Sequence, residues 1–269
     1  MNEDNLAAHS PRRTGIPLLT EMPWGSHICV FYETEEDLAD TAASYLRAGL
    51  ESNEASVWVV SPPISQEHAR QLLSRSVPNI DSKMAAGQIE ILQGYDWYLN
   101  GDQFDPKRIT ERWSDKLNHA LAKGYEGLRV SGNAFWMETQ LWNDFCEYEH
   151  EVDRAFARQK IVGMCTYSLR ESRAEDVLDV ARTHHCTLAR RNGEWEFLET
   201  PELKQAKREI VRLRGALDIL SESFAGSDFV TPSERAVLAH LVSGATSKET
   251  ARALGTPGGQ ESPLGREPS

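Results

Sequence analysis

The chain has no run approaching the roughly 18 uninterrupted apolar residues of a membrane helix, and its opening, MNEDNLAAHSPRRTG, lacks the apolar core of a secretion signal. A soluble, cytoplasmic protein with no membrane partner is the expectation. Cysteine is scarce: Cys29, Cys146, Cys165 and Cys186 are the four, and none forms a CxxC pair. Neither a disulfide framework nor a zinc ribbon is indicated, and free thiols are expected. Positive charge is short as well, with 29 Lys plus Arg against 41 Asp plus Glu and a formal charge of −12. That balance excludes a surface built to coat nucleic acid, while leaving room for a small local DNA contact. Also missing is GxxxxGK[ST]. Where a phosphate-binding loop would follow the first strand, the chain reads ETEEDLAD, acidic at the point where phosphate needs glycine N–H groups and a lysine. The strand at 127–131 carries no acidic residue to help hold Mg²⁺. ATP hydrolysis is therefore not expected, although a degenerate nucleotide-binding architecture stays open.

What is present suits a packed fold. Of 269 residues, 40% are hydrophobic and 26% charged, enough apolar mass for one full α/β domain plus a small appendage. Strand patterns at HICVFY (27–32), ASVWVVS (55–61), QIEIL (88–92), GLRVSG (127–132) and KIVGMCTYSL (160–169) alternate with helical ones at 34–51, 65–75, 107–123, 138–159 and 173–184. ARRNGEWEF carries the Asn-Gly signal of a hairpin. This alternation predicts an α/β fold with a mostly parallel sheet flanked by helices.

Boundaries follow composition. Residues 1–21, with Pro11, Gly15 and Pro17 among charges, read as a flexible leader, and the ordered domain spans 22–200. A helical linker at 201–226 places Ile210, Leu213, Leu217 and Leu220 on one seam, suited to an inter-domain helix or a short dimer contact. At 227–255, Thr231, Pro232 and Glu234 start one short helix and Ser247 a second, the opening of a helix-turn-helix. The tail at 256–269, rich in proline and glycine, is expected to be disordered, so no recognition helix follows.

Several residues are candidates for chemistry. His27 and Cys29 share one face of the first strand and Tyr32 faces the other way. The imidazole and thiol suit a soft metal or a small polar ligand, or else a hydrogen-bonded strand end and ordinary core. Cys165 and Tyr167 share a face of a second strand. His184, His185 and Cys186 could offer ligands together with Cys29, but neighbours on extended backbone point apart, so no metal site is expected. Glu149 belongs to an acid-rich helix and is either solvated or turned inward to a polar ligand. Trp97, Tyr98, Phe104, Trp136 and Trp142 line a pocket or anchor a core. Arg129, inside a parallel strand, needs a carboxylate, a ligand or an outlet to solvent.

Taken in order, GSHICVFYETEEDL, YDWYLNGDQFDP, GYEGLRVSGNAFW, FCEYEHEVDRAF and IVGMCTYSL resemble the MEDS domain, the methanogen/methylotroph DcmR-type sensory domain. The resemblance implies a RecA/KaiC-like sheet that senses small organic signals. It marks His27, Cys29, Tyr32, Trp97, Tyr98, Arg129, Trp136, Glu149, Cys165 and Tyr167 as ligand-binding. The segment FVTPSERAVLAHLVSGATSKETARALG resembles the start of a LuxR/NarL-type DNA-binding domain. Lacking the helix that reads the major groove, it implies weak or absent DNA binding. The resulting expectation is a non-catalytic, transcriptional-regulator-like sensor that binds a small organic ligand and signals through its C-terminal helix. Its cofactor is not indicated, and its further partner is a second copy or a regulatory protein. The alternatives are a degenerate nucleotide-binding domain or ATPase, and a protein-interaction scaffold.

Overall fold

The computed structural model describes residues 11–198 apart from 102 and 134–141, together with isolated positions between 205 and 237. Two units divide the chain, Asn2–Leu198 and Glu199–Ser269, the latter grouped with Met1. In the second unit the described positions are helical, and Arg212 pairs with Glu209 at 2.6 Å. The helix-turn-helix expected at 227–255, Val237 apart, and the tail at 256–269 lie outside the described residues.

The larger unit is built on a seven-stranded sheet. Its strands, in spatial order, are β11 (Glu194–Phe197), β10 (Cys186–Arg191), β3 (His27–Tyr32), β9 (Ile161–Ser168), β8 (Leu128–Asn133), β4 (Ala55–Val60) and β5 (Ile89–Gln93). All neighbours pair in parallel except β10 and β11, the hairpin. Strands β3, β4 and β8 are buried at every position, as the two covered faces of a parallel sheet require. The hairpin turns through Asn192 and Gly193 at φ 50° and 77°, two left-handed residues in sequence that favour the Asn-Gly pair found there.

One face of the sheet packs on α1 (Glu35–Glu51) and α2 (Gln66–Ser76), with Trp58, Tyr45, Leu46 and Leu73 at its centre. The other carries α5 (Pro106–Ala122), α6 (Trp142–Phe156) and α7 (Ala174–Thr183), which bury Trp113, Phe145, Phe156 and Val180. Between β5 and α5 lie a short helix α4 (Gly94–Tyr98) and a two-strand ribbon of β6 (Leu99–Asn100) and β7 (Gln103–Phe104), while α3 (Ile80–Ala85) precedes β5. No described helix is long and apolar enough to cross a membrane.

Residues 11–21, expected to be a flexible leader, are instead part of a hairpin of β1 (Pro11–Ile16) and β2 (Leu19–Pro23). Composition hides the reason: Thr14 and Ile16 alternate inward, and Arg12 reaches Glu54 and Glu126 at 2.8 Å each. Long-range ion pairs and two buried side chains hold a segment whose residues look like a linker.

Helix α7 starts with a cap in which Asp176 accepts the Arg173 backbone N–H at 2.8 Å and its guanidinium Nη2 at 2.8 Å. Burial alone would raise the Asp176 pKa, but these Arg173 bonds outweigh it and hold the carboxyl below its ordinary 3.8. A carboxyl depressed in the folded state contributes stability above its unfolded pKa and loses it as pH falls through the folded value. Asp176→Asn is expected to cost about 1 kcal/mol at neutral pH. Urea unfolding should show that gap closing as pH drops below 3.8, and a gap unchanged by pH would show that the charge is irrelevant to the cap.

Candidate functional site

The register between β3 and β9 sets Cys29 opposite Cys165, Phe31 opposite Tyr167, and His27 opposite Gly163. Because side chains alternate along a strand, these residues face α5, α6 and α7. His27 extends across the bare Gly163 position, and its Nε2 comes within 3.3 Å of Cys165 Sγ. From α6, Glu149 comes down onto the pair. Its Oε2 is 3.2 Å from His27 Nε2 and 3.2 Å from His184 Nε2, and both carboxylate oxygens are 3.7 Å from Cys165 Sγ. His184 caps α7 and is fixed from behind, its Nδ1 standing 2.8 Å from the carbonyl of Val180. The two imidazole rings lie 4.1 Å apart.

Four polar side chains thus meet in a nearly dry place: His27, Glu149 and His184 are buried and Cys165 is partly buried. Burial drives the His27 pKa down, with His184 adding to the effect and Glu149 opposing it. For Glu149, burial works upward, yet the imidazoles of His184 and His27 prevail and hold it at about 2. The Cys165 thiol is pushed well above its ordinary range by burial and then by the Glu149 charge. Cys29, at 3.3 Å from the Thr187 hydroxyl, is likewise pushed up, chiefly by burial. As free groups they make one buried anion, and thiols that do not act as nucleophiles at neutral pH.

Aromatic rings enclose the cluster. Tyr167 stands edge-on to His184 at 6.1 Å, Tyr98 packs edge-on to Tyr148 at 6.1 Å, and Trp113 donates its indole N–H to the Tyr148 hydroxyl at 3.0 Å. Trp97 packs at 4.3 Å against Trp113 with the rings tilted by 47°, and carries the Arg112 guanidinium 3.9 Å over its ring. It forms one wall of a surface cleft of about 500 Å³ with Glu90, Leu92 and Lys116. Among the described residues, the indole nitrogens of Trp97 and Trp142 are buried without a hydrogen-bond partner.

Of the residues singled out by sequence, His27, Cys29, Tyr98, Glu149, Cys165 and Tyr167 lie on this side of the sheet, with Trp97 at its margin. Tyr32 and Arg129 lie on the opposite side. Tyr32 belongs to the core beneath α1. Arg129 is answered by a carboxylate, Glu54 at 2.6 Å, and by the carbonyls of Tyr45 and Arg13 at 3.2 and 2.8 Å. Trp136 lies outside the described residues. Sequence reasoning weighed His184 as a ligand and set it aside, and it left out Tyr148. The signal for His184 is topological: β10 pairs with β3 from Cys186 opposite Ile28, which sets His185 beside the His27 backbone and brings His184, one residue earlier at the end of α7, against the His27 ring.

The other end of β3 has a different character. Thr34 and Asp37 form a capping box at the start of α1, with Glu35 and Glu36 beside it. Two N–H groups at this helix start, those of Thr34 and Asp37, are thereby engaged by the chain's own side chains, and the acidic first turn repels phosphate.

Fold and site together define a RecA/KaiC-like α/β domain with a buried polar centre under one face of its sheet. The model of the MEDS family, the MEthanogen/methylotroph, DcmR Sensory domain, matches residues 26–185, and the chain belongs to that family. Among solved structures, it is similar to the KaiC-like protein PH0186 from the hyperthermophilic archaeon Pyrococcus horikoshii OT3. Identity is 13%, the TM-score is 0.52, and the match covers 72% of this chain and 90% of that one. The flagellar accessory protein FlaH from Methanocaldococcus jannaschii is similar at 14% identity and a TM-score of 0.46, over 74% and 85% of the two chains. No curated protein matches the chain.

Proposed function

We propose that the chain is a non-catalytic sensor that takes a small organic ligand beside the His27–Glu149–Cys165–His184 centre and passes occupancy to the segment at 202–224. The observation carrying this reading is the convergence of four polar groups with Tyr98, Tyr148 and Tyr167 on one buried side of the sheet, in a chain of a sensory family. Buried indole nitrogens of Trp97 and Trp142 without partners supply donors for a polar ligand atom. Signalling requires two conformations that bind the ligand with different affinity. A regulator-like role, with 227–255 as a partial DNA-binding element and a second copy or regulatory protein as partner, is part of the same proposal. The occupied cap of α1 and the absent phosphate-loop lysine weigh against the nucleotide reading suggested by the KaiC-like fold.

Native mass spectrometry of gently purified protein tests it, with the denatured mass as reference. The expected result is a small organic mass that is lost on denaturation and reduced in occupancy by Tyr98→Ala. A chain that is bare in the native spectrum and instead retains added Mg·ATP would overturn the sensor reading in favour of the nucleotide one.

A further inference from the structure

The geometry points to a metal site: His27 Nε2, His184 Nε2, Glu149 and Cys165 Sγ form a four-donor cage for a borderline divalent cation of the zinc class. One ligand atom from each residue lies within 4.8 Å of the others. In a tetrahedral zinc centre, bonds of about 2.0–2.1 Å to nitrogen or oxygen and about 2.3 Å to sulfur put N/O donors about 3.3 Å apart and N/O···S pairs about 3.6 Å apart. The recorded separations are 3.2 Å for each imidazole to Glu149 Oε2, 3.3 Å for His27 to Cys165 and 3.7 Å for Glu149 to Cys165. They match four of the six edges of such a tetrahedron, and one donor atom of each residue lies within 4.8 Å of the others across the remaining two, from His184 to His27 and to Cys165.

Hydrogen bonding explains these contacts poorly. The Val180 carbonyl can only accept, and the Thr183 hydroxyl 2.9 Å from His184 Nδ1 donates to that same carbonyl, so His184 Nδ1 carries the ring's proton. In the neutral ring Nε2 then presents a lone pair to Glu149 Oε2, and this nitrogen has no hydrogen-bond partner. Two sets of lone pairs facing each other in a dry site repel unless a proton or a metal ion lies between them, and a metal ion serves the Cys165 contact at the same time. The backbone carbonyl behind His184 is also the outer-shell partner that metal-bound imidazoles use. Behind His27, Asp153 stands 3.8 Å from Nδ1. Asp153 and its neighbour His185 are partly exposed and offer a way in from solvent.

Charge closes as well. A divalent ion with one thiolate, one carboxylate and two neutral imidazoles sums to zero, which suits a buried position. On binding, the Cys165 proton is released to solvent and sulfur becomes the ligand. Four protein donors fill a tetrahedron and leave no open position for a substrate, so the site is structural or sensory, not hydrolytic. The ion would tie β3, β9, α6 and the start of β10 together. This inference shares residues with the proposed sensor site but does not depend on an organic ligand being bound.

The test uses the tag-free full chain, stripped with a chelator and reloaded with Zn²⁺ or Co²⁺. Elemental analysis should give one metal per chain. The cobalt form should show a thiolate-to-metal charge-transfer band that Cys165→Ser abolishes and Cys186→Ser retains. His184→Ala should weaken Zn²⁺ binding on the order of 100-fold or more, and Zn²⁺ should raise the melting temperature of the parent chain. A folded, stripped parent chain that takes up no metal, or one whose cobalt spectrum lacks sulfur ligation, would overturn the site whatever the variants do. Neither result bears on the mass-spectrometric search for an organic ligand.

Discussion

Replacing Arg129 by methionine is expected to destabilise the larger unit by about 3–5 kcal/mol, among the largest single effects the structure offers. Both Arg129 and Glu54 are fully buried, their contact is 2.6 Å, and the guanidinium also serves the carbonyls of Tyr45 and Arg13. Methionine of similar length fills most of the space, so the loss is electrostatic: a buried carboxylate and two buried carbonyls lose their donors. Arg12 still reaches Glu54 at 2.8 Å, which keeps the loss toward the lower end. Because Arg129 ties the β1–β2 hairpin to β8 through the Arg13 carbonyl, the hairpin should loosen first. Two measurements check this, the urea midpoint of the whole chain and hydrogen exchange at residues 11–23. Pairing Arg129→Met with Glu54→Gln removes the stranded charge and should recover a good part of the loss. If the double variant is no more stable than the single one, the charge is not the source of the cost.

This pair also shows what the sequence can and cannot convey. A charge inside the GLRVSG strand pattern signals that some partner must answer it, but nothing local says that the partner is Glu54, just before the neighbouring strand β4. The strands and helices were legible from periodicity, since two-sided burial makes β3 and β4 nearly continuous apolar runs and the helices keep a 3.6-residue stripe. The hairpin at 11–23 was not, because its stability comes from Arg12 reaching Glu54 and Glu126, far along the chain. The same holds for the site. Residue types in β3 and β9 announced an imidazole and thiols on one face, and the acid-rich helix offered Glu149 with two readings. His184, considered as a ligand with Cys29 and set aside, joins the site through strand order: the pairing of β10 with β3 carries the His184–His185 segment before β10 up to His27. Adjacent His184 and His185 diverge as alternation requires, and for that reason only one of them belongs to the centre.

The second large effect concerns the packing that aims His27. Phe156, at the end of α6, lies edge-on to the His27 ring at 5.9 Å and fills the space over Gly163, where an added Cβ would meet its ring at 2.8 Å. Phe156→Ala should therefore cost about 3–5 kcal/mol, the range for emptying a buried aromatic position. It should also free the His27 ring to leave Cys165. Gly163→Ala acts on the same contact from the other side. Phe156 sits on a helix end and can give way slightly, so overpacking should cost about 1–3 kcal/mol. Combining Gly163→Ala with Phe156→Leu relieves the clash and refills part of the space, so the double variant should be more stable than the sum of the two single losses. Chemical denaturation of the four forms measures the coupling, and imidazole NMR signals report whether His27 keeps its place. Strict additivity would mean that Phe156 and Gly163 do not share the space the structure gives them, and that His27 is held in place by Glu149 and His184 alone.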